Sequence, residues 1–272
     1  MIVDGKKLAE ELKSSIKDDV SKIGKAIRLA VVQVGSNPVT DKFLEQKKKF
    51  GSAVGIDVRV YEALVDISTN ALREKISEIV HEDKNTAVII QLPLPEQINT
   101  PYILDAIVPE KDADMLSSKS VGLFASGRSK ILPPVVGAIK YIVEKHDVDV
   151  KGKSVVVIGA GRLVGKPATI WLTNNGATVT VCDENTKDIA HFTRDADIVI
   201  SGVGKPGLIT ADMIKNSAAV IDAGTSEDDG KLKGDIAQTV AQKASLFTPV
   251  PGGVGPLAVA MLFQNVVAIA QK

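Results

Sequence analysis

The chain predicts an α/β fold of two units, each a parallel sheet flanked by helices. Three observations carry this expectation. Helix and strand signals alternate along most of the 272 residues. The stretch VVVIGAGRLVGKP (residues 155–167) passes from an apolar strand through a glycine turn into a helix. No low-complexity segment divides the halves, so the connections are expected to be helical. Strands alternating with helices pair in parallel and carry the helices on the sheet faces.

The elements follow in order. An amphipathic helix over 6–23 leads into a strand over 28–34, a Gly-Ser-Asn-Pro turn and a helix over 39–54. A strand over 57–63, a helix over 70–81 and a strand over 86–91 complete βαβαβ, and QLPLP stops the last strand. A loop-rich stretch over 109–134 follows, and a helix over 136–145 leads out of it. The second unit begins near Val148. It holds a strand over 154–158, a helix over 163–174, a strand over 178–182, a short helix and a strand over 197–201. Strands over 218–222 and near 245–248 extend its sheet. The last helix, over 256–270, is apolar on much of its surface and is expected to pack back on the first unit. The expected domains are therefore 1–134 plus 252–272, and 135–251.

Composition narrows the class. Lys+Arg and Asp+Glu both number 33, so charge offers no support for a nucleic-acid or anionic membrane surface. The single cysteine, Cys182, excludes an intrachain disulfide and a cysteine metal cluster, and fits a reducing cytoplasm. No apolar run approaches the roughly 20 residues that span a bilayer, and the opening MIVDGKKLAEELKSS, with its acidic residues, does not read as a targeting peptide. None of the three histidines, His81, His146 and His191, falls in a metal-like cluster.

The glycine turn is the first chemical signal. Gly159, Gly161 and Gly165 are spaced GxGxxxG, one residue longer than the common dinucleotide fingerprint. Backbone N–H groups at such a turn, with the positive end of the helix dipole, hold a pyrophosphate. Asp183 ends the next strand about 20 residues on, where an acid binds ribose hydroxyls and repels a 2′-phosphate. The alternative is that Asp183 and Glu184 cap the next short helix. Arg162, inside the turn, can pair with a phosphate.

Lys47 lies in a run of three lysines. Consecutive helical positions point about 100° apart, so the three cannot share one environment. Phe43 sits at i−4 from Lys47, on its face. An aromatic ring beside a lysine suits a flat ionisable ligand, and burial would bring the lysine pKa toward proton transfer. Gln91 ends a buried strand, and strand carboxyl ends border ligand crevices in open α/β sheets. Asp112 and Asp114 stand in the loop PEKDADML, and TPVPGGVGP (residues 248–256) is too rich in Gly and Pro for regular structure.

Together these segments resemble the bifunctional methylenetetrahydrofolate dehydrogenase/methenyltetrahydrofolate cyclohydrolases, the FolD family. The resemblance runs the whole length: VDGKKLA, VGSNP, the Lys47 helix, QLPLP, PEKDAD, VGKP, ATVTVC, SGVGKPG, VIDAG, GDI and TPVPGGVGP. It implies two α/β domains bridged by long helices, a Rossmann-type dinucleotide domain, a folate cleft and a homodimer formed through the dinucleotide domain. It implies oxidation of 5,10-methylenetetrahydrofolate by NADP, then hydrolysis of the methenyl product to 10-formyltetrahydrofolate. Lys47 takes the proton-transfer role, Gln91 orients it, Asp114 binds the pterin, and Pro251, Gly252, Gly253 and Gly255 line the folate pocket. Gly159, Ala160, Gly161, Arg162, Gly165, Asp183 and Thr225 form the cofactor set.

Departures mark where this chain differs. Phe43 replaces the usual tyrosine, so a dehydrogenase with weak or no cyclohydrolase activity is the alternative reading. Ala160 and Gly161 replace the arginine and serine expected near a 2′-phosphate, and Asp183 replaces a histidine. NAD is thus the alternative to NADP, with Arg162 and Lys187 as groups that can still hold a 2′-phosphate. Leu132-Pro133-Pro134-Val135 stands for PCTP, and Met115 for the glycine after the pterin acid. Rival readings are a nucleotide-sensing module, which would bind no folate, and a dehydrogenase of another pteridine carrier, separable by comparing substrates.

Overall fold

The computed structural model describes residues 1–36, 38–228 and 231–271; Asn37 of the Gly-Ser-Asn-Pro turn lies outside them. The chain forms two compact units, one of residues 10–134 and 259–272, the other of residues 1–9 and 135–258. The divisions fall inside the helices α1 (Gly5–Ile23) and α9 (Val254–Ala270). The first nine residues belong with the second sheet, whereas the sequence assigned them to the first domain. Ile2 bridges Phe247 in parallel, and Val3 N–H donates to the Phe247 carbonyl at 2.9 Å.

In the unit of residues 10–134 and 259–272, β1 (Arg28–Val34) is followed by α2 (Pro38–Val54), β2 (Asp57–Ala63), α3 (Thr69–His81) and β3 (Ala87–Ile90). The strands pair in parallel in the order β2-β1-β3. The central β1 is buried from Leu29 to Gln33, which is why it reads as a continuous apolar run rather than an alternating one. Ser68 caps α3 by accepting from Ala71 N–H at 3.2 Å, and Leu72, Ile76, Ile79 and Val80 present one apolar stripe to the core. Helix α9 joins this core through Phe263, whose ring stacks on Phe50 with centroids 5.0 Å apart.

Two short helices that the sequence reading did not assign follow β3: α4 (Thr100–Leu104) and α5 (Ser118–Ala125). The latter lies inside the stretch read as loop. Its serines and glycine look like turn residues, yet Ser117 is the N-cap, accepting from Ser120 N–H at 3.2 Å. The helix α6 (Pro134–Lys145) then begins.

The other unit continues with β4 (Ser154–Ile158), α7 (Gly165–Asn174), β5 (Thr178–Cys182), α8 (Ile189–Thr193), β6 (Ile198–Ser201) and β7 (Ala219–Asp222). A hairpin of β8 (Ser226–Asp228) and β9 (Lys231–Lys233), absent from the sequence reading, precedes β10 (Leu246–Phe247). Among the described residues the main sheet is parallel, in the order β10-β7-β6-β4-β5. The chain reverses from one side of β4 to the other, the arrangement that opens a crevice at strand carboxyl ends. No helix is long and apolar enough to cross a membrane among the described residues.

Candidate active site

The sequence-predicted residues fall into two groups, one in each unit. Phe43, Lys47, Gln91 and Asp114 belong to the first. Lys47 is half-buried on α2, as is Phe43 one turn earlier, while Lys48 and Lys49 are exposed. The Lys47 ammonium donates to Gln91 Oε1 at 2.7 Å. Gln91, buried just past β3, donates through Nε2 to the Leu92 carbonyl at 3.0 Å, which turns its oxygen toward the lysine. Burial lowers the Lys47 pKa, against the raising effect of the Asp114 charge. A lysine so placed exchanges its proton nearer neutrality than one in water.

Asp114 is carried by a built turn rather than a loose loop. Val88 N–H on β3 donates to the Lys111 carbonyl at 2.8 Å, so the chain enters the turn as an added strand position. The buried Asp112 carboxylate accepts from Leu116 N–H at 3.3 Å and Ser117 N–H at 2.9 Å, closing the turn around Asp114. Met115 has φ 60°, so the left-handed conformation suited to glycine is kept with a side chain that is itself buried. The Asp114 carboxyl is raised to about 6, chiefly by burial; Lys47 opposes the shift and Asp112 adds to it.

One further residue of this unit escaped the sequence reading. Asn265, 7% exposed on α9, donates from Nδ2 to the carbonyls of Ala113 and Leu132, each at 2.8 Å. The available signal was the adjacent amides Gln264 and Asn265 interrupting the otherwise apolar run LFQNVVAIA.

In the second unit the glycine turn follows β4. Gly159 has φ +99°, and its N–H donates to the Cys182 carbonyl at 2.7 Å. A Cβ on Gly165 would overlap the Gly159 carbonyl, so the start of α7 can seat there only as glycine. Gly161 has open space around it and no positive φ, so it is not required by the backbone. Ala160, Gly161 and Arg162 are exposed, and Lys166 N–H closes the turn on the Gly161 carbonyl at 3.0 Å. This open backbone cradle at a ten-residue helix fits a pyrophosphate.

Asp183 is exposed after β5, and Asn185 N–H donates to its Oδ1 at 2.9 Å. The Asn185 backbone bond and its side chain hold the Asp183 pKa below the usual carboxylate value. Asp183 does not cap α8; that position is Asp188, accepting from His191 N–H at 3.2 Å. The capping alternative is therefore corrected. Arg162 and Lys187 are both exposed. Thr225 is exposed after β7, its carbonyl facing Gly204.

Two fully buried carboxylates organise the loops at this end of the sheet. Asp235 accepts from Ser201 Oγ and Val203 N–H, both at 2.7 Å, and from Lys205 N–H at 2.8 Å. Asp222 accepts from the N–H groups of Gly224, Asp235 and Ile236. Burial first, with the Asp235 charge adding, raises Asp222 to about 6. Pro251, Gly252, Gly253 and Gly255 follow β10; Gly252 has φ +107°, and a Cβ on Gly5 would overlap the Gly253 carbonyl.

Residues 3–114 match the tetrahydrofolate dehydrogenase/cyclohydrolase catalytic domain, and residues 133–272 match the NAD(P)-binding domain of the same enzymes. The chain is similar to the bifunctional protein FolD of Nautilia profundicola, 42% identical over 100% of this chain and 97% of that protein. Among solved structures it resembles the bifunctional FolD dehydrogenase/cyclohydrolase of Campylobacter jejuni, with a TM-score of 0.96 and 36% identity over 100% and 98% of the two chains. It also resembles the dehydrogenase-cyclohydrolase of Trypanosoma brucei, complexed with NADP and an inhibitor. There the TM-score is 0.95, with 33% identity over 100% and 97% of the chains. On sequence, fold and family models alike, this chain belongs to the tetrahydrofolate dehydrogenase/cyclohydrolase family.

Proposed function

We propose that this protein oxidises 5,10-methylenetetrahydrofolate to the 5,10-methenyl compound and hydrolyses that product to 10-formyltetrahydrofolate. The observation that carries the reading is Lys47, half-buried, held by Gln91 and under the influence of the Asp114 charge. In the first step hydride leaves a carbon flanked by two nitrogens, whose lone pairs stabilise the cation. No protein base is needed, and the residues act by positioning. The nicotinamide of the bound cofactor supplies the hydride acceptor. In the second step water adds to the same carbon, and the neutral Lys47 amine takes its proton. The resulting ammonium returns a proton to the nitrogen as the C–N bond breaks, and the remaining hydroxyl proton leaves to solvent as the formyl C=O forms. Gln91 holds the amine by accepting from it. Asp114 accepts from the N–H groups of the pterin, and Phe43 stacks on the aminobenzoyl ring. Pro251, Gly252, Gly253 and Gly255 contact the folate on the family's pattern.

The missing hydroxyl at Phe43 motivates the second reading, a dehydrogenase with little hydrolysis. The intact Lys47–Gln91 pair favours the bifunctional one. The cofactor lies on the glycine turn, with Gly159, Ala160, Gly161, Arg162 and Gly165 at the phosphates and Thr225 nearby. It is NADP on the family's pattern. The ionised Asp183 is the observation that favours NAD, since its charge opposes a 2′-phosphate. One set of assays addresses both questions. The purified protein should hydrolyse methenyltetrahydrofolate well above the buffer rate, and hydrolysis at the buffer rate would leave only the dehydrogenase. The ratio of kcat/KM for NADP and NAD identifies the cofactor, with a ratio below one assigning the discrimination to Asp183.

The protein acts as a homodimer joined through the dinucleotide-binding unit, in a reducing cytoplasm consistent with its lone buried Cys182. The strand β5 lies at the edge of its sheet with Val181 42% exposed, the kind of edge that natural proteins cover. Sedimentation equilibrium should return twice the mass of one chain, and a monomer at micromolar concentration would refute the assembly.

A further inference from the structure

Asn265 joins two segments that the sequence keeps far apart. Its Nδ2 donates to the Ala113 carbonyl, 152 positions away, and to the Leu132 carbonyl, 133 positions away. The first carbonyl belongs to the peptide group that carries the Asp114 N–H, so its orientation helps set where the Asp114 side chain leaves the backbone. On the other side Met115 is already in the left-handed region, and Asp112 holds the end of the turn. The second carbonyl opens Leu132-Pro133-Pro134, where two consecutive prolines offer no N–H. That segment must be anchored through its carbonyls. Both protons of one buried amide are thus used on backbone acceptors, which in an otherwise apolar stretch of helix is an arrangement for position rather than for helix stability.

We propose that Asn265 is the positioning residue of the folate site, setting the pterin-binding carboxylate of Asp114 and the adjoining 132–134 segment as one unit. The proposal rests on the reading of Asp114 given above. Removing the two donors lets the Ala113–Asp114 peptide rotate, and a displacement of about 1 Å at a binding group lowers a rate by up to about a hundredfold. Helix α9 itself is retained, because Val266, Val267 and Phe263 still fill the core.

The test compares Asn265→Leu, which has no donor, with Asn265→Ser, which can reach at most one carbonyl, and Asn265→Gln, which keeps the amide. We expect Asn265→Leu and Asn265→Ser to raise the folate KM about tenfold or more. The cofactor KM should stay within about twofold, and the pH dependence of hydrolysis should shift, with Asn265→Gln recovering part of the loss. Val266→Ala removes core packing in the same helix and should leave the folate KM alone. Unchanged folate KM in whichever of the Leu and Ser variants folds would overturn the proposal, as would an equal rise in Val266→Ala. Asp114→Asn separates the two ideas. If it leaves the folate KM unchanged, the reading of Asp114 fails; if it raises KM while the Asn265 variants do not, the positioning proposal alone fails.

Discussion

Lys47→Met should reduce hydrolysis of methenyltetrahydrofolate by about 10²–10⁴-fold, the usual contribution of a positioned acid–base group. Methionine keeps an apolar stem of similar length, so α2 and its packing persist, but it has no proton to exchange. Gln91 Oε1 then loses the donor that now sits 2.7 Å away. Cofactor affinity should be retained, because the glycine turn belongs to the other unit. Single-turnover hydrolysis followed by absorbance, with cofactor Kd measured in parallel, checks both. Hydrolysis within a few-fold of the native rate would remove Lys47 from the mechanism.

Asp114→Asn should raise the folate KM at neutral pH by about 10–100-fold, the equivalent of roughly 1.5–3 kcal/mol for hydrogen bonds to a charged group. The pH dependence follows from the direction of the shift. Burial raises the Asp114 carboxyl to about 6, so the ionised form that accepts from the pterin is present above that pH and is lost as pH falls through it. The native folate KM should therefore climb below pH ~6, while the Asn variant stays high and flat. For stability the sign is opposite. A carboxyl whose folded pKa is raised resists ionisation in the fold, so its contribution is full at low pH and declines as pH rises toward about 6. The Asn variant should unfold no more easily than the native protein at pH 7. A second effect falls on Lys47, whose pKa the Asp114 charge holds up. Without that charge the lysine deprotonates more readily, and the rising limb of the hydrolysis profile should move to lower pH. A folate KM that ignores pH in the native protein would refute this assignment.

Much of the architecture was legible because it is written in neighbouring residues. The alternation of apolar runs with amphipathic segments placed β1 to β3 and β4 to β7 within a residue or two of their ends. The glycine turn could be read from VVVIGAGRLVGKP, since a strand, a tight turn and a helix start are all local. Helical geometry said only that three adjacent lysines cannot share one environment, and the family resemblance pointed to Lys47; in the fold it is half-buried while Lys48 and Lys49 face solvent. What escaped was marked weakly or misleadingly. The serines of α5 look like turn residues until one of them is seen to cap a helix, and the short β8–β9 hairpin has too few residues for a period-2 pattern. Gly161 looked like part of the fingerprint, yet only Gly159 and Gly165 are demanded by the backbone.

The sequence by itself therefore determined the fold class, the order of the elements, the family and the identity of Lys47, Gln91 and Asp114 as candidates. Tertiary structure alone decided how those candidates are held. The Gln91 carboxamide meets the lysine across 44 residues, Asn265 reaches back 152 residues to the peptide before Asp114, and the first residues pair with β10 instead of the nearer sheet. The physical reason is that periodicity and turn chemistry are properties of adjacent positions. The partner of a buried donor is chosen by which distant backbone the packed core brings within 3 Å.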